Sequence, residues 1–156
     1  MKILFVCTGN TCRSPLAEAI ARKIAIDRGL TDLEVASAGT SAWDGAAASD
    51  GALLVGMEHG LDLSNHRAQL LSRELVTSAD VVLAMGPHHL ERVQALGGTN
   101  NAWTLTGYAS HGKNERAISD PVGAELAVYR ATYLELEREI RRALDRLTAD
   151  RPSDAT

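Results

Sequence analysis

The segment Cys7-Thr8-Gly9-Asn10-Thr11-Cys12-Arg13-Ser14-Pro15 places a nucleophile and a cation at a spacing that can close around an anion. Arg13 follows Cys7 by six positions, and Ser14-Pro15 marks a helix start, so the loop ends on the positive pole of a helix. Backbone N–H groups from Thr8 through Gly9, Asn10, Thr11 and Cys12 to Arg13 can form a nest, and the Arg13 guanidinium can hold two phosphate oxygens in a fork. The same field favours the thiolate of a cysteine placed there, which is the nucleophilic form. The chemistry such a loop can do is attack of the Cys7 sulfur on the phosphorus of a bound phosphoryl group.

Three residues of the loop carry two readings each. Ser14 can donate its hydroxyl to the Cys7 sulfur and to the same sulfur as it leaves phosphorus, or serve as a plain N-cap with Pro15 as the first helical residue. Asn10 can brace the loop in a left-handed conformation, or mark a turn and nothing more. Cys12 can form a reversible disulfide with Cys7 that switches off and guards the nucleophile, or simply pack the loop.

The elements that must position this loop are strands alternating with helices. Lys2 to Cys7 is a continuous apolar run ended by Gly-Asn, which suits a strand buried on both faces. Leu16, Ala17, Ala19, Ile20, Ile24 and Ala25 then recur at helical spacing until Gly29. Leu33 to Ala38 predicts a second strand, and Ser49 to Gly60 a helix with Leu53, Leu54 and Met57 inward. Asp80 to Met85 predicts a third strand, His88 to Leu96 a helix, and Ala102 to Leu105 a weaker fourth strand. From about Ala124 to Leu147 an amphipathic rod carries Leu126, Val128, Tyr129, Tyr133, Leu134, Leu136, Ile140, Leu144 and Leu147. The pattern specifies an α/β fold, a doubly wound four-stranded parallel sheet flanked by helices, with ligands beyond the carboxyl ends of the strands, where Cys7 falls. Residues 1–150 read as a single domain and residues 151–156 as a frayed tail.

Bulk properties agree with a local anion site. The 156 residues are 45% hydrophobic and 23% charged, with a net charge of −4. A chain of this length buries roughly two thirds of its unfolded surface. The acidic balance argues against a nucleic-acid binder. The apolar opening from Ile3 to Cys7 is too short for a signal peptide core or a membrane span, so a cytoplasmic protein without membrane association is expected. In a reducing compartment, two cysteines within one loop read as catalytic or redox chemistry before they read as a structural disulfide.

The chain resembles the low-molecular-weight protein tyrosine phosphatase family over nearly its whole length. The likeness rests on Cys7 to Pro15, Ser37-Ala38-Gly39-Thr40, His66-Arg67-Ala68, Asp80 to Met85 and Ser119-Asp120-Pro121. The resemblance implies a protein phosphatase acting through a phosphocysteine, with a phosphorylated protein as partner. It implies that Asp120 protonates the leaving atom and then activates water, that His66 stands behind the loop bonded to Asn10, and that Ser37 is a further supporting hydroxyl.

Within the family, members that act on phosphotyrosine usually carry a bulky aliphatic residue at the position of Thr11 and aromatic residues just after the Asp-Pro pair. This chain has Thr11 and Val122. Its loop is similar to that of the bacterial protein-arginine phosphatase branch, which implies phosphoarginine as the substrate and phosphotyrosine as the alternative. The Thr11 hydroxyl can position a polar phosphoguanidine and the attacking water. Trp43 can add a ring to the rim or can be a packing residue.

Competing classes fit less well. An arsenate reductase on this fold needs a further cysteine beyond Cys12, and a phosphoprotein-binding module has no use for Cys7, Arg13 and Asp120 together. A P-loop nucleotide hydrolase lacks its Gly-Lys-Ser/Thr ending here. Two cysteines with no nearby histidine do not make a zinc site, and His88 and His89 read as isolated. Neither a metal nor a cofactor is expected. Catalysis should therefore withstand EDTA, and loss of turnover on chelation, measured with a phosphopeptide, would contradict this reading.

Overall fold

β1 (Lys2–Cys7) is buried from Ile3 onward, and its alternation sorts the core into two halves. Ile3, Phe5 and Cys7 belong to one apolar cluster, Leu4 and Val6 to the other. The period of two along a strand sends successive side chains to opposite faces, so this one strand supplies both layers. In this computed structural model, which describes residues 1–150, β1 lies between β2 (Glu34–Gly39) and β3 (Val81–Ala84). β4 (Ala102–Thr104) completes an all-parallel sheet of order β2-β1-β3-β4. The expected tail at 151–156 lies outside the described residues.

The helices cover both faces, as a parallel sheet requires. α1 (Arg13–Asp27) and the long α6 (Leu126–Asp150) close the face that holds Phe5 and Cys7. α2 (Asp50–Glu58) packs beside them. On the other face, α3 (Arg73–Ser78) contributes Val76 and α4 (Pro87–Ala95) contributes Val93 to the cluster built on Leu4 and Val6. α5 (Leu105–Ala109) follows β4 directly and packs on α6. Among the described residues no helix is long and apolar enough to cross a membrane.

Three predicted details are corrected. α2 does not turn Leu54 and Met57 inward: they are 50% and 71% exposed, Leu53 is half-buried, and the buried residues are Ala52, Val55 and Gly56. The reason is close approach. A Cβ on Gly51 would lie 2.5 Å from the Tyr129 ring, and one on Gly56 would lie 2.6 Å from Leu63 Cδ1, so α2 makes these contacts through glycines. α1 begins at Arg13, with Cys12 in the N-cap position and no side-chain cap, so Ser14 lies inside the first turn. α3 and α5 were not predicted; at 6 and 5 residues they are too short to show a helical period. Leu105, predicted as strand, is the first residue of α5, and the Thr104 hydroxyl caps that helix by accepting from Gly107 N at 3.0 Å.

The strand order reverses between β1 and β3, because β1 is followed by a crossover to β2 and β3 by a crossover to β4 on the other side. Loops leave in opposite directions at that point and open a crevice beyond the strand ends. Cys7 ends β1, Gly86 follows β3, and the chain returns there through Ile118, whose N–H donates to the Met85 carbonyl at 2.8 Å. Gly39 ends β2 beside the loop after Cys7, and a Cβ there would lie 2.4 Å from the Thr8 carbonyl oxygen and 2.9 Å from Asn10 N. Both are backbone atoms that cannot swing aside. Gly39→Ala should cost about 1–3 kcal/mol in urea denaturation. Gly9→Ala, whose Cβ would meet only Thr11 Oγ1 at 3.5 Å, should cost far less.

Candidate active site

Residues 8–12 form an irregular bend between β1 and α1, and their geometry is fixed from behind by one buried side chain. Asn10 has φ 56, the left-handed region that asparagine tolerates better than most residues. Its amide Nδ2 donates to Ser14 Oγ at 2.8 Å and to Ser37 Oγ at 2.9 Å. Its Oδ1 accepts from Gln69 N at 2.9 Å, and its backbone carbonyl accepts from His66 Nε2 at 2.7 Å. The last bond fixes the tautomer of His66, because a carbonyl oxygen can only accept. Ser37 in turn donates to Glu18 Oε1 at 2.9 Å. His66 and Ser37 thus lie behind the loop, each bonded to Asn10, which is itself in the left-handed conformation.

The front of the loop is a narrow pocket lined by Cys7, Thr8, Gly9, Thr11, Cys12, Arg13, Asp120 and Val122. Cys7 is buried, and its Sγ lies 2.8 Å from the Ser14 hydroxyl. Ser14 accepts from Asn10, so its own proton is free to point at the sulfur, where it stabilises negative charge. Arg13 is buried, with one guanidinium nitrogen donating to the Ile118 carbonyl at 3.1 Å and another 3.4 Å from Asp120 Oδ2. The Asp120 side chain is 48% exposed, and its Oδ1 accepts from Val122 N at 3.1 Å, which holds the carboxylate at the pocket mouth.

Val122 is exposed and forms part of the wall, whereas Trp43 is 84% exposed and is not among the lining residues. Trp43 is therefore not a packing residue. Cys12 is buried and points away into a cluster in which its Sγ lies 3.2 Å from Ser49 Oγ and 3.4 Å from Tyr129 OH. Burial, joined by the contact with Cys12, raises the Tyr129 pKa, so this phenol stays protonated and can donate. Both cysteines are free thiols.

Sequence reasoning missed Glu18, Ser49, Gln69, Tyr129 and His89. Glu18 had a signal, since it stands one helical turn after Ser14 on the same face. Gln69 acts through its backbone N–H and had none. His89 is not isolated, as expected above: it is buried at 9% exposure, and its Nε2 lies 2.8 Å from Thr8 Oγ1. α4, after β3, delivers it to the crevice on the opposite side from β2, a neighbourhood that only the strand order reveals.

With this geometry in view, the comparisons with known proteins are informative. The family described as "Low molecular weight phosphotyrosine protein phosphatase" matches residues 2–153. The chain belongs to that family. It is accordingly a cysteine-dependent protein phosphatase, on a four-stranded parallel sheet shared with solved phosphatases. The phosphatase is 39% identical over 155 residues to a protein-arginine-phosphatase of Bacillus subtilis, covering 97% of this chain and 99% of that one. It is 35% identical over 148 residues to the low-molecular-weight protein-tyrosine-phosphatase Wzb of Escherichia coli, covering 95% and 96%. It superimposes with a TM-score of 0.89 on the YwlE arginine phosphatase, solved as a Cys-to-Ser mutant with a phosphorylated active-site serine, at 36% identity and covering 97% and 98%.

His89 gives the site a pH signature. Burial first, then the Arg13 and His88 charges, push its pKa down from 6.5 to about 4, with Asp120 opposing. In the unfolded chain the group titrates near its ordinary value, so between about pH 4 and pH 6.5 the unfolded state binds more protons. The neutral imidazole's contribution to stability is thus full above pH 6.5 and declines as pH falls towards 4. Urea titrations should show wild type losing more stability between pH 7 and pH 5 than His89→Gln, and equal losses would contradict this assignment.

Proposed function

We propose that this phosphatase hydrolyses phosphoarginine in proteins through a phosphocysteine on Cys7, with Asp120 as the acid and then the base. The observation that carries the substrate reading is the pocket lining: Thr8, Thr11, Asp120 and Val122 stand around the mouth, and among the described residues no aromatic ring lines it. A phenol ring finds nothing to stack on, whereas a phosphoguanidine meets a carboxylate and two hydroxyls that can bond its N–H groups. The 39% identity to a protein-arginine-phosphatase supports the same reading. The similarity to Wzb favours phosphotyrosine as the alternative.

In the proposed reaction the phosphoryl group enters the loop and takes over the inner face of Arg13, displacing the 3.4 Å contact with Asp120. The N–H groups of Thr8 to Arg13, Gly9 and Cys12 among them, and the end of α1 neutralise its charge. The Cys7 sulfur attacks phosphorus in line, an S–P bond forms and the P–N bond to the guanidine breaks. Asp120, entering this step protonated, gives its proton to the departing nitrogen, so the cationic phosphoguanidinium leaves as the guanidinium of arginine. Water then attacks phosphorus, its proton passes to Asp120, and the S–P bond breaks. The Ser14 hydroxyl at 2.8 Å donates to the Cys7 sulfur as negative charge returns to it. Inorganic phosphate leaves, and the enzyme is restored without metal or redox cofactor. Thr11 is placed to hold the attacking water or a guanidine N–H. Trp43, projecting from the loop after β2, is a contact for the substrate protein beyond the phosphoresidue.

Cys12 sits in this scheme as a second thiol of the loop. Its two hydroxyl partners, Ser49 and Tyr129, favour the packing role over a resting disulfide. A cytoplasmic enzyme with free thiols is the setting proposed.

The test is kcat/KM on phosphoarginine and phosphotyrosine peptides for wild type, Cys7→Ser, Asp120→Ala and Thr11→Ile. Cys7→Ser should abolish turnover of both. Asp120→Ala should lower kcat by about 10²–10⁴. Wild type should prefer phosphoarginine, and Thr11→Ile should shift the preference towards phosphotyrosine. Turnover by Cys7→Ser would remove the covalent mechanism, and a wild-type preference for phosphotyrosine would select the alternative substrate.

A further inference from the structure

His89 is a buried titratable group that the reaction above does not use. Its Nε2 touches Thr8, the residue that follows the nucleophile, from a helix 81 residues away in sequence. Its Nδ1 is buried and has no hydrogen-bond partner among the described residues. The surroundings of Nδ1 decide where the single ring proton sits. A Cβ on Gly86, the N-cap residue of α4, would lie 3.6 Å from Nδ1, so this nitrogen faces the start of a nine-residue helix. The N-terminal end of a helix carries partial positive charge. The Arg13 guanidinium and His88 add positive potential from α1 and α4, and Asp120 is the opposing carboxylate. An N–H at Nδ1 would meet this field with no acceptor, whereas a bare lone pair is favoured by it. The proton therefore belongs on Nε2.

The tautomer sets the direction of the 2.8 Å bond. Nε2–H donates to Thr8 Oγ1, and the Thr8 hydroxyl proton is released from any obligation to the histidine. Thr8 is exposed and forms part of the pocket wall next to Cys7. We propose that His89 is a positioning residue that orients Thr8 so that its hydroxyl donates to a phosphoryl oxygen in the pocket. The loop then gains a side-chain donor beyond its backbone N–H groups, and α4 becomes part of the apparatus that holds the phosphoryl group. A hydroxyl that accepts from an N–H is also a better donor, because the two bonds polarise one another. This assignment rests on the phosphatase reading only for its effect on turnover, since binding of phosphate itself tests the site directly.

The experiment measures the Kd of inorganic phosphate by calorimetry and kcat/KM on a phosphoarginine peptide. The proteins are wild type, Thr8→Val, His89→Phe, His89→Gln and the Thr8→Val/His89→Phe double variant. Loss of one hydrogen bond to an anionic oxygen predicts about tenfold weaker phosphate binding and about tenfold lower kcat/KM for Thr8→Val. His89→Phe should lose the same factor. The double variant should be no worse than either single one, because the histidine acts only through the threonine. His89→Gln, which supplies an amide N–H in place of Nε2–H, should recover most of the binding. Wild-type phosphate affinity in Thr8→Val, or losses in the two single variants that multiply in the double, would overturn the proposal. If His89→Phe does not fold, Thr8→Val and His89→Gln still decide it. If wild type binds phosphate with the expected dependence on Thr8 and His89 but turns over no phosphopeptide, the enzymatic reading fails and this assignment stands.

Discussion

Asn10 is the residue on which the site's geometry depends. It is fully buried, its backbone is left-handed, and its side-chain amide and backbone carbonyl make four hydrogen bonds that tie the loop to α1, to β2 and to the 66–69 segment. A buried polar group left unpaired costs far more than a satisfied one contributes, so each partner is constrained in turn. Ser14 is held by Asn10 and thereby aimed at Cys7. Ser37 is held between Asn10 and Glu18. The loop cannot relax around an anion because it is already closed from behind, and this preorganisation is what makes its dipoles effective.

The sheet order explains why these partners come from distant parts of the chain. β1 is flanked by β2 and β3, so the loop after Cys7 lies at the point where the crossovers diverge. β2 brings Gly39 and Ser37 to one side, and β3 brings Gly86 and the first turn of α4 to the other. The segment before α6 returns across the end of β3 and sets Asp120 over Arg13. A thiol, a cation and a carboxylate thus meet in one crevice.

Much of this was legible in the sequence because the relevant signals are local. The apolar run of β1, the glycine and asparagine after it and the helical period of α1 place Cys7, Arg13 and Ser14 relative to one another without tertiary information. The same holds for the strand-helix alternation that fixes the fold. What was not legible is contact across elements. The inward face of α2 was misread because hydrophobicity favours Leu54 and Met57, whereas the helix meets Tyr129 and Leu63 through Gly51 and Gly56, where not even a Cβ fits, and buries Ala52 and Val55. Of the two roles the sequence offered for Ser14, the cap falls to Cys12, and the bond that its hydroxyl accepts from Asn10 is seen only in the structure. His89 gave no local signal, since its role follows from the order of strands and not from its neighbours in sequence.

The central claim is that Cys7 forms the covalent bond to phosphorus. The most direct measurement is rapid quenching of the wild-type enzyme within the first turnover of a phosphoarginine peptide, followed by ³¹P NMR and peptide mapping of the quenched enzyme. If Cys7 is the nucleophile, a thiophosphate resonance appears and the phosphoryl group maps to Cys7. Phosphate release with no enzyme-bound phosphoryl group, or a phosphoryl group mapped to another residue, would contradict it.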